Sequence, residues 1–384
     1  MRRLGIVLRN GGARCALVWS VVSASSLVAT AGWSQTLTWL GTLGGPLSLA
    51  YGVSADGSVV VGFSLSQGQS GNPVRAFRWT QATGMQDLGA LGSNWYNQST
   101  AHGVSADGSV VVGWATDSNL QSRAFRWTQA TGMQDLGDLG SRFSVAYGVS
   151  ADGSVVVGAT ANAAAQERAF RWTQATGMQD LGTLPGSSES EAHGVSADGS
   201  VVVGLARNAS GLVRAFRWTQ ATGMQDLGTL GGTESTARSA SADGSVVVGW
   251  ARNAANQSRA FRWTATGGMQ DLGTLGGNYS DAAGVSADGS VVVGTSDRRA
   301  FRWTAAGGME DLNQTYASLL TNGSLLTSAF AISPDGRYIV GEGYNAAAGR
   351  YNEAFLLDTV PEPASLMALG AGLAGLIRLR RRKR

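Results

Sequence analysis

The sequence predicts an all-β protein, a seven-bladed β-propeller closed by an N-terminal strand that completes the last blade. Three observations carry this. An Asp-Gly turn recurs at Asp56, Asp107, Asp152, Asp198, Asp243, Asp288 and Asp335, at spacings of 51, 45, 46, 45, 45 and 47 residues. Each unit offers four short strands, the period and content of a propeller blade. The seventh unit runs out one strand short, and the missing strand stands at the front of the chain.

The first half of each unit is Gly52-Val53-Ser54-Ala55-Asp56-Gly57-Ser58-Val59-Val60-Val61-Gly62, two apolar runs around Asp-Gly, a strong hairpin signal. It supplies strands a (Gly52 to Ser54) and b (Val59 to Gly62). The second half is Ala76-Phe77-Arg78-Trp79-Thr80-Gln81-Ala82-Thr83-Gly84-Met85-Gln86-Asp87-Leu88-Gly89, which supplies strands c (Ala76 to Thr80) and d (Met85 to Gly89). Phe77 and Trp79 alternate with Ala76, Arg78 and Thr80, the period of a strand. A four-residue turn from Gln81 to Gly84 places Arg78 opposite Asp87. The same pairing then recurs at Arg126/Asp135, Arg171/Asp180, Arg217/Asp226, Arg262/Asp271 and Arg302/Asp311. A single blade leaves both its faces bare, so blades must stack around an axis, with Phe77, Trp79 and their equivalents as filler.

The last unit has strands a to c, ending in Ala354-Phe355-Leu356-Leu357-Asp358, and no Met-Gln-Asp-Leu-Gly follows. Leu37-Thr38-Trp39-Leu40-Gly41-Thr42-Leu43-Gly44-Gly45 matches Met224-Gln225-Asp226-Leu227-Gly228-Thr229-Leu230-Gly231-Gly232 and fills the gap. In this blade alone Arg becomes Leu356 and Asp becomes Trp39, so the expected register sets Trp39 against Leu356. A β-solenoid with the same period needs capping units and leaves the transposed strand unexplained.

The two ends of the chain read as addresses. Residues 1–31 have a basic start, an apolar run from Ala16 to Val22 and a small-residue site at Ala29-Thr30-Ala31, the order of a signal peptide cut after Ala31. Residues 35–45 are the closing strand and 46–359 the propeller repeats. Residues 360–384 begin Val360-Pro361-Glu362-Pro363, continue as an apolar run to Ile377 and end in six basic residues among seven. As a helix the run measures about 21 Å, short of the ~30 Å bilayer core, and the flanking arginines extend it by snorkelling. The basic tail stays cytoplasmic and leaves the body outside.

The formal charge of +3 is an effect of the ends: residues 35–377 hold 19 basic and 26 acidic residues, a net −7. Such a body does not suit nucleic acid. The single cysteine, Cys15, falls in the leader, so the mature chain is expected to have neither disulfide nor thiolate chemistry.

In the order Val360-Pro361-Glu362-Pro363, short Gly/Ala/Leu-rich span and Arg-rich end, the C-terminus resembles the PEP-CTERM sorting signal. That resemblance implies an exosortase as partner, cleavage near the motif, and passage to the cell envelope or extracellular matrix of an exopolysaccharide-producing cell. In its repeats, over about Thr38 to Asp358, the body resembles the bacterial extracellular HAF-repeat family, named for His-Ala-Phe. Here the first position is Arg, as in Arg75-Ala76-Phe77. This family implies no catalytic residue.

Alternating strands put the a–b and c–d turns, nearly identical in all units, on one end of the ring. The b–c and d–a loops, which differ in every unit, lie on the other. A specific ligand is expected at that variable end. At the mouth of strand a one position also varies: Tyr51, His102, Tyr147, His193, Arg238, Ala283 and Phe330. With Trp95, Tyr96 and Tyr279 in nearby loops, these aromatics suit stacking on sugars, or they plug the channel by packing on one another. His102 and His193 are the only histidines and no metal-ligand spacing occurs, so no cofactor and no metal are expected. The expected role is a non-enzymatic binding or scaffold module towards exopolysaccharide or matrix proteins. The alternatives are a purely structural matrix protein and a carbohydrate-active lyase or glycosidase. For the last, Asp117, Glu189, Glu191, Glu234 and Asp281 are the available acids on the variable end.

Overall fold

The structure is a computed structural model that describes residues 35–67, 73–94 and 96–359. The leader, the Val360-Pro361-Glu362-Pro363 motif with everything after it, and Trp95 lie outside the described residues.

Seven four-stranded antiparallel sheets form, each in the order a-b-c-d. Blade 1 is Gly44–Val53, Val59–Ser66, Val74–Thr80 and Gly84–Asp87. Blade 7 is Leu325–Ile332, Tyr338–Asn345, Arg350–Asp358 and, as its fourth strand, Thr36–Trp39. The N-terminal strand therefore completes the last sheet, and the fold is a closed seven-bladed propeller. The closing strand is shorter than the 35–45 segment suggests, because Gly44 and Gly45 already belong to blade 1.

Between the blades lie seven apolar clusters, one per junction. Each joins the Val-Val-Val and Ala side chains of one blade to the Phe and Trp of the next. Val155, Val157 and Ala169 of blade 3, for example, meet Phe216 and Trp218 of blade 4. The cluster of Leu40, Phe77, Trp79, Val340 and Ala354 mixes the two ends of the chain and closes the circle. The strand-c Phe of all seven blades, Phe77, Phe125, Phe170, Phe216, Phe261, Phe301 and Phe355, are fully buried, worth roughly 1.5–3 kcal/mol each in apolar transfer. At the blade 6–7 junction the loop carries a short helix, Leu312–Thr315, which buries Leu312 and Tyr316 in the same way.

Polar ties repeat as regularly as the apolar ones. The Ala124 amide donates to Ser144 Oγ of the next blade (3.0 Å), which donates to the Gly137 carbonyl (2.6 Å). At the chain ends Ala354 N–H, Ser48 and Gly41 repeat the bridge at 3.0 and 2.6 Å. Around the axis Ala55 N–H donates to Ala106, Ala106 to Ala151, and so on to Ala287 and the Pro334 carbonyl. Pro334 has no N–H to pass on to blade 1.

The hairpin register differs from the expected one by a single residue. Thr80 pairs with Gly84, Trp79 with Met85, Arg78 with Gln86 and Phe77 with Asp87. The turn holds three residues, not four: Gly84, at φ 67°, pairs as the first residue of strand d. Thr83 N–H donates to Thr80 Oγ1 (3.2 Å) and tightens the turn. Arg78 and Asp87 are thus not partners. Asp87 instead meets Arg75 (3.9 Å), as Asp135 meets Arg123 (2.9 Å) and Asp226 meets Arg214 (3.1 Å). Arg126, Arg171, Arg217 and Arg262, the equivalents of Arg78, donate Nε–H to the turn-glycine carbonyl of the next blade at 3.0–3.4 Å.

The same shift corrects the closing pair. Trp39 lies opposite Phe355, ring on edge at 6.3 Å, and Thr38 lies opposite Leu356. The paired substitution survives with a different member. Where other blades have Arg75 and Asp87, blade 7 has Glu353 and Trp39. Glu353 is 2% exposed; it accepts from Gly41 N–H (3.2 Å) and Asn345 Nδ2 (3.1 Å).

Candidate functional site: the axial mouth

The site is built by a glycine. Each Val-Val-Val run, Tyr338-Ile339-Val340 in blade 7, ends in Gly62, Gly113, Gly158, Gly204, Gly249, Gly294 or Gly341. A Cβ there would lie 1.9–2.0 Å from a carbonyl oxygen of strand a. Only glycine lets the two backbones approach so closely. Opposite it strand a carries one extra residue. Ala50 pairs with Gly62 and Gly52 with Val61, leaving Tyr51 unpaired. His102, Tyr147, His193, Arg238, Ala283 and Phe330 are left unpaired by the same irregularity. A β-bulge re-aims its extra side chain. The seven side chains meet around the axis, and all of them line one cavity of about 1020 Å³.

The mouth has two unlike halves. From blade 7 to blade 4 the rings touch in series: Phe330 to Tyr51 (5.2 Å), Tyr51 to His102 (5.4 Å, stacked), His102 to Tyr147 (5.2 Å) and Tyr147 to His193 (5.5 Å, on edge). Through blades 4 to 6 the lining is ionic. Arg238 grips Asp281 of the next blade through Nε and Nη2, the latter at 2.7 Å. Arg207 reaches Glu189 and Glu191, both at 3.4 Å, and Arg252 reaches Glu234 at 3.3 Å. His193 Nδ1 lies 3.0 Å from the Ala237 carbonyl and its Nε2 3.4 Å from Glu191.

Burial governs the protonation states. It pushes Tyr51 up to about 12, with Glu342 adding to the shift, and raises Tyr147 further. His102, desolvated and facing His193, falls to about 4 and is neutral at pH 7. Glu167 rises to about 7, through burial first and then Glu191 and Glu189. Burial also raises Glu342. Glu191 is held low by its hydrogen bond from His193.

Tyr279 lines the cavity and is 44% exposed. Tyr96 is exposed and is not part of the lining. Leu205, Trp250, Thr295 and Glu342 also line the mouth and were not singled out from the sequence, and neither were Arg207 and Arg252. The first four carry a readable signal. Each directly follows the strand-b glycine and pairs with the residue two before the bulge: Glu191 with Leu205, Thr236 with Trp250, Asp281 with Thr295, Ser328 with Glu342. Both members of these pairs change from unit to unit. Beneath the bulge ring, and sharing Tyr51, Tyr147, His193, Arg238 and Phe330 with it, lies a second well of about 490 Å³ walled mainly by Gly, Val and Ala at the ends of the a strands and in the turns that follow. Among the described residues no group of three or more His, Cys, Asp or Glu is arranged to hold a metal.

Residues 359–383 match the PEP-CTERM protein-sorting motif. This chain carries an export-sorting signal. The motif implies recognition by an exosortase, with export and membrane-associated sorting. No curated protein matches the chain. Among solved structures it is similar to TolB from Acinetobacter baumannii, at 13% identity over 79% of this chain and 81% of that one, TM-score 0.45. Hydrazine synthase from Kuenenia stuttgartiensis is 13% identical over 86% and 99%, TM-score 0.46. The Dos1 propeller is 10% identical over 84% and 95%, TM-score 0.47. The chain that carries this sorting motif forms a seven-bladed propeller with its variable loops gathered at one end. Among the described residues no helix is long and apolar enough to cross a membrane.

Proposed function

We propose that this exported propeller is a non-enzymatic binding module of the cell envelope or matrix, and that it takes a polysaccharide chain at the axial mouth. The repeats are read as HAF-type, with Arg in the first position. The C-terminal segment is read as a membrane helix with a cytoplasmic end until it is processed.

One observation carries the reading: a crescent of touching rings faces a crescent of paired ions across a cavity of about 1020 Å³. Ring faces suit the C–H faces of sugars. Fixed Arg–carboxylate pairs offer oriented donors and acceptors to hydroxyls while adding little net charge. A few polar groups in a largely preformed concavity are the usual form of a binding site.

The rings' mutual contacts also favour a second reading, in which they only plug the channel of a structural matrix protein. A glycan array probed with the full chain in detergent separates the two. Binding that is lost in Tyr51→Ala and Tyr147→Ala supports the binding module. Binding to no glycan supports the scaffold. Release of reducing ends from bound glycans supports a carbohydrate-active enzyme.

A further inference from the structure

The sorting segment leaves the ring from a defined face and with almost no spacer. Strand c of blade 7 ends at Asp358, which pairs with Tyr338 and with Thr36. Arg337 clamps Asp358 through two contacts of 2.7 Å. Thr359 is 6% exposed and donates both its N–H (3.0 Å) and its hydroxyl (2.8 Å) to the Arg337 carbonyl. Arg337 belongs to the Asp335-Gly336 turn. The a–b and c–d turns share one end of the ring: in blade 2, Gly108 and Ser109 line the same hollow as Gln129 and Ala130. Thr359, the last described residue, therefore sits on the repeated end, opposite the mouth.

Only residues 360–363 separate Thr359 from the apolar run that begins at Ala364. Four residues span at most about 14 Å. A seven-residue strand rises about 23 Å, so the variable rim lies well beyond that reach. We propose that, while the sorting segment is uncut, the propeller stands with its repeated end against the bilayer and its axial mouth opening away from it. This rests on the reading of membrane-associated sorting. The tether, not adhesion, sets the orientation, and a bound polymer would approach from the side away from the membrane.

Paired probes on single blades test it. In a Cys15→Ser background, one cysteine is placed per chain: Gln174→Cys on the repeated end and Ala164→Cys on the variable end of blade 3, Gln220→Cys and Leu212→Cys on the corresponding ends of blade 4. All four positions are exposed. The uncut full chain is reconstituted in vesicles carrying a headgroup energy acceptor, and only chains that float with the vesicles are read. The expected result is several-fold stronger transfer from Gln174→Cys and Gln220→Cys than from their blade-mates. A twenty-residue Gly/Ser insertion after Thr359 should erase the difference. Equal or stronger transfer from Ala164→Cys or Leu212→Cys overturns the orientation. So does a signal from Gln81→Cys, on the blade beside the chain ends, with none from blades 3 and 4, because that describes a ring lying on its edge. Failure to float at all overturns the membrane reading itself.

Discussion

The two ends of this ring use the same chemical groups to opposite effect. At the repeated end the Asp of each Asp-Gly turn accepts from the residues two before and two after it: Asp152 takes the Ser150 hydroxyl at 2.6 Å and the Ser154 amide and hydroxyl at 3.0 and 2.8 Å, which bring it down to about 2. At the variable end Glu167 is half-buried near Glu191 and Glu189 and stands at about 7. One end satisfies the carboxylates of its Asp-Gly turns locally and in nearly the same way from blade to blade. The other gathers charges and rings that differ from blade to blade and holds them partly desolvated. Hydrogen bonds to a carboxylate favour its charged form, and burial disfavours it. The contrast is that of a frame with a site, and it is written in how each acid is solvated.

The comparison can be broken most severely at the glycine that supports the mouth. Gly158→Val would drive a side chain against the Val145 carbonyl, 1.9 Å from the new Cβ. Backbone cannot give way as a side chain can, so the cost should exceed ~3 kcal/mol and the variant should lack a cooperative thermal transition. At the repeated end Gly153→Ala is also strained, by a φ of 73° and a Val110 methyl 2.5 Å away. It should fold, with about 1–3 kcal/mol lost in urea titration. If the two substitutions cost the same, the bulge is not the tighter constraint.

Next in size is Trp39→Asp. It removes an aromatic edge from Phe355 and half-buries a carboxylate where Arg75 has been replaced by Glu353. A loss of about 2–3 kcal/mol is expected, read as a lower melting temperature. An unchanged melt would mean that the latch does not hold the circle.

The opposed acids predict opposed pH slopes. Asp152 has a folded pKa of about 2 against its ordinary 3.8. Its stabilisation is full above the ordinary value and is lost as pH falls through about 2, so Asp152→Asn should flatten part of the stability curve between those limits. Glu167, at about 7 against 4.5, is destabilising when ionised. Stability should fall as pH rises from 4.5 through 7, and Glu167→Gln should remove that decline without touching the acid limb. Smallest of all, Arg75→Ala removes a 3.9 Å pair to an Asp87 side chain that is 43% exposed. The change should stay under ~1 kcal/mol.

Blade count, strand order and the transposed closing strand could all be read from the letters, because each is a matter of period and of what is missing from the period. The register could not. A three-residue and a four-residue turn share Gln81-Ala82-Thr83-Gly84, and only the backbone shows that Gly84 pairs. That single residue moved every cross-strand partner and reassigned Asp87 from Arg78 to Arg75. The bulge ring was visible as a variable column, from Tyr51 to Phe330. The reason for it was not, since it lies in the approach of two chains at Gly62 and its equivalents. Arg207, Trp250, Arg252 and Glu342 were missed for a related reason: strand b was followed only as far as its glycine, while it continues into the mouth.

One proline gives the circle a weak point. Around the axis, amide after amide hands a hydrogen bond to its neighbour until Pro334, which accepts from Ala287 and has nothing to donate. The same blade is the one whose sheet the chain does not build continuously: its strand d, Thr36–Trp39, is zipped onto Arg350–Asp358 by hydrogen bonds alone and runs on into blade 1. Heat or force is therefore steered to a single seam. The chain would unwind there from both termini at once, shedding its seventh wedge while six remain stacked as an open arc.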